Sequence, residues 1–314
     1  MIEINGDKFV VTGGAGFIGS HIAEELAKQH KQVQVLDINY IDRKYNFDAK
    51  YVTDFDRSVI SHHLLFDADT DVVFHEACSK CTVCRDDPYN DLMVNAWGAF
   101  SVFEATSAIG AKVVHASTGS VYGDCSAQVE KNQYAPKSFY GVSKLAGEQY
   151  LRAFHEYDGL RYVGLRYFHV YGPRQYAGPS GGVIAIFITK MLKGEPIQIF
   201  GDGEQVRSFT YVKDVVAANF IAANSKGMEG RYFNVASGAR ISLNQMISTL
   251  EDVMKVNARR QYFPVRKGDI RDFNVSNEKV MPILSLHGMS NWAAFEDGLK
   301  ETVDWYRKDF YGNS

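Results

Sequence analysis

Apolar and polar positions along this chain follow two periods in turn. The stretch KFVVTGGAGFIGSHIAEELAKQHKQVQVLD opens as a β-branched apolar run and breaks at glycines. It then places Ile18, Ile22 and Leu26 at helical spacing and closes in a second apolar run from Val33 to Leu36. Strand, turn, helix and strand in that order make a βαβ unit. Further apolar runs follow at DVVFHEA, AKVVHAS and RYVGLRYFHV, with helical stretches such as NAWGAFSVFEATSAIG between them. This alternation predicts an α/β fold with a doubly wound parallel sheet. Beyond about residue 172 the pattern loosens into GPRQYAGPSGG, a helix, and IQIFGDGEQVRSFTYVKDV. Residues 1–172 are therefore expected to form the sheet domain, with a return segment near 208–238. Residues 173–314 are expected to form mainly a smaller mixed region capping the sheet's carboxyl edge. The sequence shows no internal repeat or flexible linker, so the two parts should share one interface.

Composition narrows the partners. A chain of 314 residues, 46% hydrophobic and 23% charged, has room for a large core. Its net charge of −3 gives no electrostatic footprint for nucleic acid. The apolar runs are too short to span a membrane, and the strand-like KFVVTGG occupies the place where a signal peptide's apolar region would sit. A cytoplasmic protein is expected. Three of the four cysteines, Cys78, Cys81 and Cys84, lie too close together to staple distant parts, which fits a reducing compartment. Their C-x₂-C-x₂-C spacing matches the start of a ferredoxin run, but Asp87-Pro88 follows and no fourth Cys with its Pro completes it. They are read as small buried thiols in a loop, with no metal bound. A fold that brought Cys125 close would make four thiols converge.

Gly13, Gly16 and Gly19 give G-x-x-G-x-x-G at the first strand-to-helix junction. A tight turn, a close backbone approach to a pyrophosphate and close helix–strand packing each require a glycine, and the helix N-terminus receives the diphosphate. Phe17 and Ile18 lie within this Rossmann-type cofactor loop. Asp37, 18 residues past Gly19, ends the second strand. A carboxylate there accepts from ribose hydroxyls and repels a 2′-phosphate, which points to NAD as cofactor rather than NADP. Asp54 and Phe55, after the next run, are candidates for holding the adenine.

In SFYGVSKLAGEQYL, Tyr140 and Lys144 stand one helical turn apart and share a face. A nearby ammonium and a positive nicotinamide ring both favour the phenolate, bringing the tyrosine within reach of general-base work. Upstream, VVHASTGSVYGD is a strand ending in hydroxyls at the sheet's carboxyl end, where Thr118 is placed to bond a reacting hydroxyl.

Together these motifs resemble the extended short-chain dehydrogenases/reductases that act on nucleotide sugars, most closely the UDP-galactose 4-epimerase branch. TGGAGFIGSH, VFHEA, VNAWGAF, ASTGSVYGD, YGVSK, LRYFHVYGPRQ, FGDGEQVRSFTYVKDV, YFNVASG and RKGDIRD all fall in family order. The resemblance implies that Tyr140 is the base and acid, that Lys144 orients the nicotinamide ribose, and that Thr118 takes the catalytic Ser/Thr place. It implies cofactor contacts at Lys80 and Asn95, and contacts to the substrate's nucleotide and diphosphate at Arg207, Arg266 and Asp269. His169 replaces the usual substrate-binding amide, and Ser208 replaces an aspartate that would orient Arg207. Phe273 falls where small residues admit N-acetylated sugars, so plain hexoses or uronic acids are expected.

The 4,6-dehydratases that resemble this chain carry Asp-Glu directly after the catalytic Thr, and decarboxylases usually carry Glu at the second place. This chain has Gly119-Ser120. With no further acid or base, a 4-keto sugar has only to turn over and be reduced on its other face, which implies a UDP-hexose 4-epimerase. C2 epimerisation, UDP-glucuronate decarboxylation and dehydration are the alternatives, and a non-catalytic NAD-binding scaffold is the reading from another class. The resemblance also implies a homodimer joined through helices at about Asp91 to Ala108, with Trp97 and Phe100, and Tyr140 to Tyr157.

Overall fold

The first apolar run folds as strand β1 (Lys8–Thr12), followed by helix α1 (Phe17–Lys28) and strand β2 (Gln32–Leu36). The structure, a computed structural model, describes residues 2–37, 66–124, 127–265, 271 and 274–312. The chain continues through β3 (Val72–His75), α2 (Pro88–Leu92), a π-helical turn (Met93–Trp97) and α3 (Gly98–Ile109). It then passes through β4 (Lys112–Thr118), α4 (Phe139–Asp158) and β5 (Arg161–Tyr167). A late strand, Arg231–Val235, returns to the same sheet.

The six strands are all parallel, in the order Arg231–Val235, β5, β4, β3, β1, β2. Because β2 and β3 flank β1 on opposite sides, the winding reverses there and leaves a crevice at the carboxyl ends of β1 and β3. Both faces are covered, so β4 is buried at every position, and this is why its sequence reads as an unbroken run. On one face Ile22, Leu26, Val215 and Phe220 pack on Phe9, Val11, Phe74 and Val163. On the other, Phe103 and Leu151 of α3 and α4 pack on Val113 and Tyr162. A second core joins the helices Val183–Leu192, Leu243–Met254 and Phe295–Gly312 around Ile188, Ile247 and Val303. Ile18 of α1 packs against both the first core and the second. Three short two-stranded sheets complete the described fold.

Two elements differ from the sequence reading. Helical backbone runs from Pro88 to Ile109, not from Asp91, because Asp87 caps the start by accepting Asn90 N–H at 3.0 Å, and it is interrupted by the π-helical turn. The run RYVGLRYFHV is broken in two. His169 has φ of 41°, so β5 ends at Tyr167, and Val170–Tyr171 pairs instead with Thr210–Tyr211. Among the described residues no helix is long and apolar enough to cross a membrane.

Candidate active site

The crevice is built by close backbone approach. Gly13 has φ of 69°, and a Cβ placed on it would stand 2.6 Å from the Ala77 nitrogen, so any side chain would force the ends of β1 and β3 apart. A Cβ on Gly19 would meet the Gly13 carbonyl at 2.4 Å, and the Gly16 amide donates to that carbonyl at 2.9 Å. Gly16 caps α1 without a side-chain bond, and the first turn holds no acid, leaving the amide-rich end of the helix suited to a diphosphate. Phe17 and Ile18 open the helix; Phe17 rests edge-on against His21 with centroids 6.0 Å apart. Asp37 follows β2, and its Oδ2 accepts the Ala15 amide at 3.1 Å, which orients the carboxylate beside the loop. The crevice therefore fits a dinucleotide.

Asn95, buried inside the π-helical turn, holds the opposite wall. Its Oδ1 accepts the Ser79 amide at 2.9 Å, and its Nδ2 donates to the Ser79 carbonyl at 3.3 Å and to Asp91 Oδ1 at 2.9 Å. The Ser143 hydroxyl of α4 donates to Asp91 Oδ2 at 2.7 Å and closes the network. Lys80, next to Ser79, points its ammonium at the Tyr176 ring, 4.6 Å from the centroid.

The candidate proton-transfer residues come together where β4 ends. Gly141 lets α4 come close to the 3₁₀ turn Gly119–Tyr122, since a Cβ there would stand 2.8 Å from the Ser120 carbonyl oxygen. This brings the Tyr140 phenol close enough to the Thr118 hydroxyl for the one to act on the other. Thr118 Oγ1 also accepts the Ser120 amide at 3.1 Å and donates to Ser120 Oγ at 3.2 Å. Lys144, one turn along α4, is buried, and burial lowers its pKa against the opposing charges of Cys78, Glu76, Glu148 and Asp91. Burial leads at Tyr140 as well, and with the neighbouring Cys78 and Cys81 it raises the phenol well above its usual value, while the Thr118 bond opposes it. From the protein's own groups alone, the phenolate is thus not favoured as the sequence reading expected. A cation brought beside the phenol would have to supply that shift.

Sequence reasoning missed Glu76, which is buried one residue past β3 and pushed up to about 7 by burial, with the Tyr167 bond and the Lys144 charge opposing. The signal was present: an acid directly following a wholly apolar run at the sheet's carboxyl edge. Behind it His75 and His115 stack 5.3 Å apart in the core, with Thr12 Oγ1 bonded to His75 Nδ1 at 2.7 Å.

The cysteine loop corrects the sequence reading in part. Cys84 is buried and its thiol donates to the Cys81 carbonyl at 3.1 Å, but Cys78 and Cys81 are exposed, because they stand in the loop and turn between β3 and α2 and not in a strand or helix packed on the core. Among the described residues no group of three or more His, Cys, Asp or Glu side chains is placed to hold a metal ion. Cys125 lies outside the described residues, as do Asp54, Phe55, Arg266, Asp269 and Phe273.

Farther along, the Arg207 guanidinium donates to the Val206 and Arg271 carbonyls at 2.8 and 3.3 Å. Ser208 serves a different purpose from the carboxylate it replaces: its buried hydroxyl accepts the Gly238 amide at 3.1 Å and meets Ser237 Oγ at 3.3 Å, tying two segments together. Burial, with Arg207 assisting, lowers His169 to about 3, so its imidazole is neutral.

The sequence matches the NAD dependent epimerase/dehydratase family over residues 9–236. It is 31% identical to the UDP-N-acetyl-alpha-D-glucosaminuronate decarboxylase of Bacillus cytotoxicus over 95% of this chain and 97% of that protein. The fold is similar to that of a UDP-glucose 4-epimerase from Thermotoga maritima solved with UDP-glucose. Identity is 34% and the TM-score 0.87, over 96% of this chain and 99% of the other. It is similar as well to a UDP-N-acetylglucosamine 4-epimerase from Methanobrevibacter ruminantium, solved in complex with UDP-N-acetylmuramic acid. There identity is 32% and the TM-score 0.87, over 98% and 100% of the two chains.

Proposed function

Since the chain belongs to the NAD-dependent epimerase/dehydratase family, we propose that it is a nucleotide-sugar 4-epimerase of the UDP-glucose/UDP-galactose type, working through a transient 4-keto sugar. The observation that carries this reading is the closeness of Tyr140, at the start of α4, to Thr118, at the end of β4, followed by Gly119-Ser120 and not by an acid pair. Thr118 holds the sugar's 4-oxygen, Tyr140 takes its proton and later returns it, and Lys144 holds the nicotinamide ribose. Bound NAD supplies the hydride acceptor and donor, and its positive ring opposes the burial that raises Tyr140. Asp37 takes the adenosine ribose, while Arg207, with Arg266 and Asp269, takes the substrate's diphosphate end, for which a planar guanidinium suits paired oxygens. Residues 173–314 supply most of the sugar-nucleotide side, His169 contributes a neutral imidazole to it, and Phe273 disfavours an N-acetyl group at C2.

A homodimer through α3 and α4 belongs to the same proposal. Trp97 and Tyr150 are 46% and 47% exposed and join Phe100 in one aromatic cluster, with centroids 5.6 and 5.3 Å from its ring. Light scattering at micromolar concentration is expected to give the mass of two chains; a monomer would remove this part.

The decisive experiment incubates the protein with a panel of UDP-hexoses, UDP-uronic acids and UDP-N-acetylhexosamines and follows the products by NMR. UDP-glucose and UDP-galactose should interconvert. Loss of carbon dioxide or water, or turnover of acetylated sugars alone, would overturn the assignment. Tyr140→Phe should lower the rate about 10²–10⁴-fold with NAD still bound.

A further inference from the structure

Three carboxyl groups act on the buried Lys144: Glu76, Glu148 and Asp91. Two of them are satisfied elsewhere. Glu148 is paired with Arg166, whose Nε and Nη2 donate to its two oxygens at 2.8 and 2.6 Å. Asp91 accepts from Asn95 and Ser143. Glu76 differs, for its bond is to a neutral phenol: the Tyr167 hydroxyl donates to Oε1 at 2.8 Å, and that hydroxyl is itself held by Asn219 Nδ2 at 2.8 Å.

Position makes this informative. Glu76 precedes Ala77, the residue whose backbone a Cβ on Gly13 would strike, so it stands at the end of β3 where the crevice begins, with its carboxyl buried against Tyr167. Among the described residues no cation pairs with it in an ion bridge. A buried carboxylate with no cation bonded to it is costly, and an acid poised near neutrality needs a reason to be kept there. A charge that comes and goes provides one, because the nicotinamide ring is positive when oxidised and neutral when reduced.

We propose that Glu76 is an electrostatic positioning residue that favours the oxidised, cationic dinucleotide over the reduced one at this site. A reaction that returns its hydride in every cycle must end with the cofactor oxidised, and this carboxylate biases the resting enzyme to that form. The inference rests on the crevice being the NAD site, and it does not depend on which sugar is turned over.

The groups facing Glu76 are Lys144 of α4, Tyr167 of β5, Asn219 of the helix Val212–Asn224, and Cys78 on its own segment. Burial holds His75 neutral, at about 3. Lys144 is the other group able to impose a pH dependence, and comparison with Glu76→Gln separates the two.

The test measures dissociation constants for NAD⁺ and NADH, each alone, in the wild type and in Glu76→Gln. Measurements are made at pH ~6 and pH ~8.5, on either side of the Glu76 transition. At the higher pH the Gln variant should move the affinity ratio toward NADH by about tenfold, equal to about 30 mV for the bound couple. At the lower pH the wild-type ratio should approach that of the variant. Tyr167→Phe removes the bond that holds the Glu76 pKa down, so the transition should move to higher pH. The proposal is overturned by equal ratios in wild type and variant at the higher pH. It is equally overturned by a parallel loss of both affinities, which a purely structural role would give, or by a transition that survives unchanged in Glu76→Gln. Should that variant not fold, a wild-type ratio that stays flat across the range overturns it. No sugar is present in any arm, so an error in the sugar assignment leaves the result readable.

Discussion

Replacing Asn95 with Ala tests whether the π-helical turn holds the cofactor loop in place. The side chain is 1% exposed and belongs to a closed network. Its oxygen takes the Ser79 amide at 2.9 Å, and its two amide hydrogens are shared among the Ser79 carbonyl, Asp91 and Ser143. Alanine removes about three effective hydrogen bonds, two neutral ones near 1 kcal/mol each and one to a carboxylate near 2 kcal/mol. It also strands the Ser79 amide in a buried place, so a loss of about 4 kcal/mol is expected, large for a single substitution. Asn95→Asp keeps the shape but sets a second carboxylate where Asp91 now receives a donor. Its loss should be at least as great at neutral pH and should shrink in acid, where one carboxyl takes a proton. Urea unfolding gives the stability, and titration with NAD gives the consequence for the crevice, whose affinity should fall because Ser79 no longer fixes the wall. A loss below about 1 kcal/mol in Asn95→Ala, or an unchanged NAD affinity, would refute the reasoning.

Gly13→Ala places a Cβ against the Ala77 backbone at a φ of 69°, and calorimetric titration should show NAD affinity lowered about tenfold or more; wild-type affinity would mean that the strand ends yield freely. Burial leads in lowering His21 to about 4, His75 and His169 to about 3, and His115 well below its usual value, so each contributes stability that is complete above pH 6.5 and falls on acidification. Glu76 and Asp214, raised by burial to about 7 and about 6, act in the opposite sense. Between pH ~6.5 and pH ~5.5 the histidines cost about 4 kcal/mol and the two acids return about 2, so the urea midpoint should drop, and a midpoint that held or rose would contradict the assignment of neutral buried imidazoles. Elemental analysis of purified protein is expected to give far less than one zinc or iron per chain; one zinc per chain, or a visible cluster absorption, would overturn the reading of the cysteine loop.

The parts legible in the sequence are those encoded locally. The βαβ unit shows in periodicity, the glycine loop in spacing, and the Tyr140–Lys144 pair in the helical repeat. What stayed hidden was pairing across distance: Glu76 with Tyr167, Ser79 with Asn95, and Glu148 with Arg166 join different elements, and no local pattern encodes such partners. Asp91 and Asn95 stand at helical spacing, yet a polar i, i+4 pair more often faces water than the interior. The thiols misled for a related reason. Burial belongs to the place and not to the residue type, so Cys84 behaves as expected while Cys78 and Cys81 are exposed.

The alignment of the Tyr140 hydroxyl with Thr118 follows from two anchors along α4. At the helix start, Gly141 allows contact with the Ser120 carbonyl. Two turns on, Glu148 accepts the Ser117 hydroxyl at 2.5 Å while paired to Arg166. Ser117 and Thr118 point to opposite faces of β4, so a bond to the first fixes the strand under the second. Arg166 is itself caged, bonding the hydroxyls of Tyr122 and Tyr134 at 2.7 and 2.9 Å and lying 5.1 Å from the Tyr232 ring centroid. An ion pair this buried adds little net stability, because the cost of desolvating both charges offsets their attraction. Its effect is geometric. Were α4 to turn or slide, Glu148 would leave Arg166 uncompensated in the interior, and Tyr140 and Lys144 would swing away from the end of β4 in the same motion. The register of one helix thus sets both Tyr140 and Lys144, and the Glu148–Arg166 pair holds that register.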